Sequence, residues 1–399
     1  MKKKLIAMLC MAVMAVSVLS GCGSEYAVKE SEGTPTTTWD EYYSSRVNPD
    51  DGVTTRLEAI LGLVDNALTY GRNLEGSYYP QLFVDGVNVN TKEPLAWVYQ
   101  GDTYYTSNFW GQQNLMRILD GLTVLSGDPE YREIAHEQYR FRFDNLVDEN
   151  GLLYAGPHVL IDVMTGRKFP AEHETKDYQL PWELMWAADP DGTKRFIEAY
   201  WNAHVYDMSS VNFNRHGYYN IEMGELWDTE YLNDDPYVEA EGEAVAFTCT
   251  GNDLLEAAYF LAEKTGDNKP KEWADRMLDK FIAVQDDNTG LVGTQYGTAS
   301  DEVGGDRLKV QFKGTELEEY HESQWLDRDT VKATAGYAPQ ALLPAYESTG
   351  DEKIYDYVAE NMLGVANYVY MAEEHAFNTP MLTDGYDLGG FVNVNTGYY

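Results

Sequence analysis

The stretch Leu122-Thr-Val-Leu-Ser-Gly-Asp128 recurs twice in related form, as Phe260-Leu-Ala-Glu-Lys-Thr-Gly-Asp267 and as Ala345-Tyr-Glu-Ser-Thr-Gly-Asp351. Each copy begins as an apolar helix end and stops at Gly, the residue that takes up the left-handed conformation just past a helix without steric penalty. Each restarts at Asp, whose carboxylate suits the positive end of the next helix. Amphipathic stretches of helical period follow over residues 131–146, 273–284 and 354–371. The repeated unit is a helical hairpin.

Working outward from these hairpins, helical periodicity also covers residues 54–70, 107–125, 179–187, 193–204, 251–264 and 332–346. Asp148-Glu-Asn-Gly-Leu152 and Asp287-Asn-Thr-Gly-Leu291 carry Asn-Gly and Thr-Gly reversals that join one hairpin to the next. Residues 206–243 and 294–329 are long, aromatic and acidic, too long for plain connectors, and are expected to wall a cleft as short hairpins. Hairpins repeated about an axis, with their long connections on one side, give an all-α dominated chain. The expected form is an α/α toroid, a complete or incomplete (α/α)6–7 barrel with short β hairpins in the cleft-forming loops. The chain stops on an extended run, residues 389–399, in which Val392-Asn-Val-Asn-Thr396 echoes Val87-Asn-Val-Asn-Thr91. A toroid needs its last hairpin to cover the first, so a shortened C-terminal end or an irregular closure is expected.

Residues 1–21 have the layout of a secretory signal: Lys2, Lys3 and Lys4, an apolar run from Leu5 to Val18, and small residues before Cys22. Leu19-Ser-Gly-Cys22 resembles a bacterial lipobox, which makes Cys22 a lipidated first residue and residues 22–50 a lipidated cysteine with a flexible tether. Residues 51–399 then form a single catalytic domain outside the cytoplasmic membrane, held to it only through Cys22 and expected to act as a monomer. Cys10 lies in the signal, so Cys249 is the single thiol of the mature fold. No internal disulfide is available, and Cys249 has the setting of a small buried hydrophobe.

Loss of the three signal lysines takes 29 Lys and Arg down to 26 against 66 Asp and Glu, a balance of −40. Such a charge excludes nucleic acid as a partner and repels any polyanion at long range. An acidic sugar therefore has to meet a local reversal of sign. Arg167, Lys168, Lys176, Lys194, Arg195 and Arg215 fall within one region of about fifty residues that could provide it, although Lys194 and Arg195 read rather as ordinary solvated helix charges. The 31 Tyr and 9 Trp exceed what a core needs. Flat rings stack on the apolar faces of pyranoses, though most serve as helix packing. Arg167, Lys176 and Trp182 are the candidates for holding a sugar.

Of the seven histidines, His158 stands in a loop after a hairpin, His173 and Glu174 open a segment before a helix, and His216 follows Arg215 in a loop after a helix. Three loops on one rim of a toroid can converge, so that His158, Glu174 and His216 form a two-His, one-carboxylate metal site. Spacing alone leaves open the alternative of scattered, unrelated histidines. His204 lies on the helix that begins near Thr193 and is expected to be a helix histidine bonded to backbone rather than a ligand.

The run from Glu174 to Gly217, with Trp182-Glu-Leu-Met185, Ala188-Asp-Pro190, Arg195-Phe-Ile-Glu-Ala-Tyr-Trp-Asn-Ala-His-Val205 and Asn214-Arg-His-Gly217, resembles the central block of polysaccharide lyase family 2, the periplasmic pectate lyases. Beyond that block the resemblance is mainly one of hairpin order, over residues 57–384. It implies that the Arg-His pair supplies the catalytic base, Arg215, and a metal ligand, His216. It also implies a ligand glutamate 42 residues before that histidine, which selects Glu174 over Glu183, and an earlier histidine, best matched by His158. The implied reaction on polygalacturonate removes the C5 proton of a galacturonate and expels the C4 oxygen, giving an unsaturated uronide without water. A cation at these ligands would neutralise the uronate carboxylate, and the nitrogen-rich set favours a divalent transition metal, manganese first, over calcium. An arginine base conflicts with the usual permanence of that charge. Desolvation beside a cation lessens the conflict, while a clamp on the substrate carboxylate remains the alternative role. Two other readings stay open: a hydrolase of the α/α toroid class with paired acids such as Asp177 and Glu183, and a lipid-anchored oligosaccharide-binding protein without catalysis.

Overall fold

The computed structural model describes residues 56–88, 90–156, 159–169, 172–174, 180–214, 216–234, 239–240, 242–243, 248–285, 290, 342–368, 370–371 and 376–377. Residues 1–55, which include the expected signal and tether, together with His158, Lys176, Arg215, the segment 294–329 and the final run 389–399, lie outside the described residues.

Among the described residues the chain is helix-rich. After α1 (Arg56–Tyr70) come α2 (Gln113–Ser126) and α3 (Glu130–Asn145), then α4 (Trp182–Ala188) and α5 (Pro190–His204), and α6 (Thr248–Thr265) and α7 (Lys269–Val284). The last pair is α8 (342–349) and α9 (Glu352–Tyr368). The turn chemistry read from the sequence is seen three times over. Gly127, Gly266 and Gly350 have φ of 75°, 73° and 68°. Their N–H groups donate to the carbonyls of Thr123, Ala262 and Tyr346 at 2.9, 2.9 and 2.8 Å. Asp128, Asp267 and Asp351 then accept from the N–H of Glu130, Lys269 and Lys353 at 3.0, 3.0 and 3.1 Å, tying down free amides at the next helix start. A residue with Cβ in these turns would have to adopt the left-handed region at a cost of roughly 1 kcal/mol.

Each second helix turns a buried stripe inward. On α5 it is Phe196, Ile197, Tyr200, Trp201, Ala203 and His204; on α7 it is Trp273, Met277, Leu278, Phe281 and Val284. All of these but His204 belong to one hydrophobic core that runs from Val64 through Trp110, Tyr139 and Trp201 to Tyr357 and Val358. Residues near all four hairpin turns, among them Asp120, Arg132, Ala187, Glu263 and Ser348, line one cavity of about 510 Å³.

The connections are built from short antiparallel pairs. β1 (Trp97–Tyr99) pairs with β2 (Asp102–Tyr104), and β3 (Thr106–Ser107), β4 (Leu160–Asp162) and β5 (Lys168–Phe169) make a three-stranded sheet. β6 (His173–Glu174) pairs across the chain with β9 (His216–Gly217). β7 (Val205–Asp207) pairs with β8 (Asn212–Phe213), and β10 (Glu239–Ala240) with β11 (Gly242–Glu243), so the expectation of hairpins in 206–243 holds. A further pair joins β12 (Tyr370–Met371) to β13 (Ala376–Phe377).

Several boundaries differ from the sequence reading, two of them by a change of element. Residues 107–125 are not one helix, because Thr106 and Ser107 pair with β4 and the Asn108 side chain accepts from the Trp110 N–H at 3.0 Å to start the helical turn later. The stretch 354–371 ends as helix at Tyr368 and continues as a strand.

Glu256 lies on the cavity wall, where burial first and the Asp253 charge second hold its carboxyl well above the usual range. Its neutral form is favoured in the fold, so the stability it contributes is full below the unfolded value near 4.3 and falls as pH rises toward the folded one. Glu256→Gln is expected to gain on the parent at pH 8, by a Tm difference of about 2 °C, and to converge with it at pH 4 in paired thermal scans.

Candidate active site

The β6–β9 ladder fixes what the site displays. Residues directly opposite in an antiparallel pair project to the same face. The register sets Glu174 against His216 and His173 against Gly217. Glu174 and His216 thus share one face, with His216 Nε2 3.8 Å from Glu174 Oε1. The imidazole keeps 32 % of its side chain exposed and the carboxylate only 6 %. Gly156, with φ of 135°, lies so close that a Cβ would stand 3.0 Å from the Glu174 nitrogen, which puts the loop leading to His158 against Glu174.

On the opposite face two histidines are fully buried. His204, at the end of α5, donates through Nδ1 to the Asn214 carbonyl at 2.8 Å, and its own carbonyl accepts the Asn214 N–H at 2.9 Å. Its Nε2 meets His173 Nδ1 at 2.7 Å. Asn214 in turn accepts the His216 N–H on its side chain at 3.1 Å, and the Tyr206 hydroxyl donates to the His216 carbonyl at 2.7 Å. Burial, with His204 adding to it, holds His173 well below the usual imidazole range. Burial pushes His204 down to about 3, opposed by its bond to Asn214 and aided by His216. Both rings are therefore neutral at physiological pH.

Gly217 is the residue that admits His204 beneath the strand. A Cβ there would stand 2.7 Å from His204 Nε2, 2.8 Å from its Cδ2 and 3.1 Å from the Ala203 Cβ. Two of these approaches are shorter than a carbon tolerates, so the ring or the strand must shift. Gly217→Ala is expected to cost about 1–3 kcal/mol of stability, read as a shift in denaturation midpoint, with lower turnover in the part that stays folded.

Positive charge reaches this neighbourhood through an aromatic stack. Lys168 Nζ lies 4.1 Å over the Tyr154 ring, Tyr154 stacks on Tyr219 at 4.7 Å, and Tyr219 meets the edge of His173 at 6.0 Å. Desolvation lowers the Lys168 pKa from the ordinary lysine value. Tyr206 and Tyr218, both exposed, stack at 6.3 Å beside His216.

The structure brings together two of the expected site residues, Glu174 and His216. His158, Arg215, Lys176 and Cys22, the residue expected to carry lipid, lie outside the described residues. Arg167 is turned toward Tyr104, donating to its hydroxyl at 2.7 Å and covering Phe169 at 4.4 Å, in a separate aromatic patch. Trp182 is buried between Phe196 and Phe260 and lines the cavity near the hairpin turns, so its ring face is not open to a polymer. Glu183, one of the paired acids of the hydrolase reading, is ion-paired with Lys264 at 2.5 Å; Asp177 lies outside the described residues. His204 is, as its helix position implied, bonded to backbone. The His173–His204 contact was not anticipated, although the spacing of Phe196, Tyr200 and His204 already put the last on the buried stripe.

Among the described residues no three His, Cys, Asp or Glu side chains gather as a metal site. The donor pair nonetheless suits a cation: two donors at about 2.1 Å from one ion stand roughly 3.0–3.4 Å apart, and Nε2 and Oε1 are a few tenths of an ångström beyond that. One hard oxygen and one imidazole nitrogen, with coordination left over for a third side chain and substrate, match a first-row divalent ion.

A family model described as periplasmic pectate lyase matches residues 80–399. The chain belongs to the periplasmic pectate lyase family. This lyase is 27 % identical over 369 residues to a pectate disaccharide-lyase of Dickeya dadantii (strain 3937), an alignment that covers 86 % of the chain and 67 % of the relative. It is a polysaccharide lyase, and the family places it outside the cytoplasm. Solved structures similar to it include an α-1,2-mannosidase from Trichoderma reesei, at 10 % identity and a TM-score of 0.46 over 84 % of this chain and 66 % of that one. A sugar epimerase from a ruminal bacterium follows at 16 % identity and a TM-score of 0.37 over 82 % and 93 %. At those scores the likeness carries no weight for fold or chemistry.

Proposed function

We propose that the lyase cleaves polygalacturonate by metal-assisted β-elimination, with Arg215 as base, in a cleft on the loop side of an α/α toroid. The observation that carries this reading is the Glu174–His216 pair, a buried carboxylate and a half-exposed imidazole 3.8 Å apart on one strand face. Arg215 is covalently joined to both Asn214 and His216, so its Cα lies about 3.8 Å from each of theirs. Its guanidinium has the reach to meet a sugar presented there.

Glu174, His216 and His158 hold a divalent cation, manganese first. His158 follows two residues after Gly156, whose backbone touches Glu174, a step of chain that spans at most about 7 Å. When bound, the cation supplies Lewis-acid charge that makes the proton next to the uronate carboxylate more acidic. Arg215 takes the C5 proton, the C5–H electrons form the C4–C5 double bond, and the C4–O bond breaks with its electron pair going to the leaving oxygen. Lys168, desolvated over Tyr154, provides positive charge against the overall −40, and the Tyr206–Tyr218 stack offers a flat face to a sugar ring.

The test is incubation of the purified protein with polygalacturonate and Mn²⁺, following ultraviolet absorbance and reducing ends together. Rising absorbance that chelation abolishes is the expected result. Reducing ends without absorbance would indicate hydrolysis and sink the reading. An unsaturated disaccharide as the main product would extend to this chain the activity in the name of the Dickeya relative.

A further inference from the structure

We propose that the buried His173–His204 pair is a positioning device that fixes Asn214 and β9, and through them sets where His216 stands. The proposal rests on the β-elimination reading above for its catalytic consequence, but its structural content is independent of that reading.

The hydrogen bonds run in one direction only. A carbonyl oxygen can only accept, so the 2.8 Å contact to Asn214 requires the proton of His204 on Nδ1. In a neutral ring Nε2 is then the acceptor, and the 2.7 Å contact requires the proton of His173 on Nδ1. Each ring is held in one tautomer by the other and by the main chain. The anchor at the end of this relay is double, since Asn214 also gives its N–H to the His204 carbonyl at 2.9 Å. Asn214 is therefore clamped to the last residue of α5 just before the chain enters the site.

The other end of the relay is held by packing alone, since His173 Nε2 has no hydrogen-bond partner among the described residues. His173 is wholly buried, edge-on to Trp110, Phe196 and Tyr219, and its strand neighbour is Glu174. A rotation of the His173 ring would move β6, and the β6–β9 ladder would carry that movement to the Glu174–His216 pair on the far face. The two rings thus lie under both halves of the site at once. Gly217 leaves the space that lets them do so.

The experiment compares His204→Leu with His204→Asn. Asparagine keeps a donor at the position of Nδ1 and leucine keeps only bulk. The readouts are kcat and KM on polygalacturonate with excess Mn²⁺, amide hydrogen exchange over residues 212–217, and Tm. His204→Leu is expected to lower kcat about 10–100-fold, the usual cost of removing a partner that orients a ligand. KM should stay within about threefold, as for loss of an interaction that matters in the transition state, with faster exchange at 214–217. His204→Asn is expected to restore kcat to within about fivefold of the parent and to restore slow exchange, because the bond to the Asn214 carbonyl returns. Should the leucine variant fail to fold, His204→Gln takes its place: it reaches His173 but not the carbonyl, and the same loss is expected.

The proposal is overturned if the leucine or glutamine variant turns over within twofold of the parent with unchanged exchange. It is also overturned if asparagine does no better than leucine in either readout. If the parent itself forms no unsaturated product, the elimination reading fails, and the exchange comparison decides the positioning proposal by itself: protection in the asparagine variant and loss in the leucine variant uphold it, and equal exchange in the two overturns it.

Discussion

Arg215→Ala is expected to lower kcat on polygalacturonate about a thousandfold to ten-thousandfold, the upper range for loss of a general base, with Tm unchanged. The size follows from the work assigned to the side chain. The proton at C5 of a uronate is weakly acidic, and without a positioned acceptor the elimination must wait for solvent. An ordinary arginine is a poor acceptor because its conjugate acid is so stable. Two features of the proposed site oppose that stability: a divalent cation on the neighbouring residue, and exclusion of water by the bound polymer, both of which favour the uncharged guanidine. Arg215→Lys separates this role from a simple carboxylate clamp. A base role predicts that lysine retains turnover which rises as pH is raised, since more of the amine is then unprotonated. A clamp role predicts a raised KM with kcat nearly intact. The second pattern would remove Arg215 as the base while leaving β-elimination standing.

The hairpins were legible because their signals are local. Ser126-Gly-Asp128, Thr265-Gly-Asp267 and Thr349-Gly-Asp351 encode a helix stop and a restart within three residues, and the structure gives all three the same hydrogen bonds within 0.1 Å. Helix starts were less legible where a side chain sets them from outside the periodic run. Asp189, accepting from Gly192 at 2.9 Å, begins α5 at Pro190, three residues earlier than the apolar pattern alone implies. The site divides in the same way. Glu174 and His216 are 42 residues apart and came from resemblance, because no periodicity links two strands from different connections. Their approach depends on a cross-chain register that only folding reveals. The roles expected of Arg167 and Trp182 rested on residue type, and type does not fix direction. Arg167 finds Tyr104 and Phe169, and Trp182 finds the core, since a large apolar ring at the start of a helix stabilises more when buried than when stacked on solvent.

Glu174→Gln is expected to weaken Mn²⁺ binding by the free protein roughly ten- to a hundredfold, taking about 1.5–3 kcal/mol for an interaction with a charged group. The substitution keeps the volume, the strand pairing and an oxygen toward His216, so what it removes is charge. Titration of Mn²⁺ followed by its electron spin resonance signal reads the affinity directly, without substrate. Unchanged affinity would take Glu174 out of the cation site whatever happened to activity. A second readout distinguishes a ligand from a structural carboxylate. Burying an ionised carboxylate is costly, and replacing one that serves only to be paired is often neutral or stabilising. The metal-free variant is therefore expected to melt at or above the parent, whereas with saturating Mn²⁺ the order should reverse, because binding to the folded state stabilises the tighter binder more. A crossing of the two melting series fits a carboxylate that is kept for its cation. Parallel series, with the variant lower throughout, would mean that Glu174 holds the ladder together and that the cation is bound elsewhere.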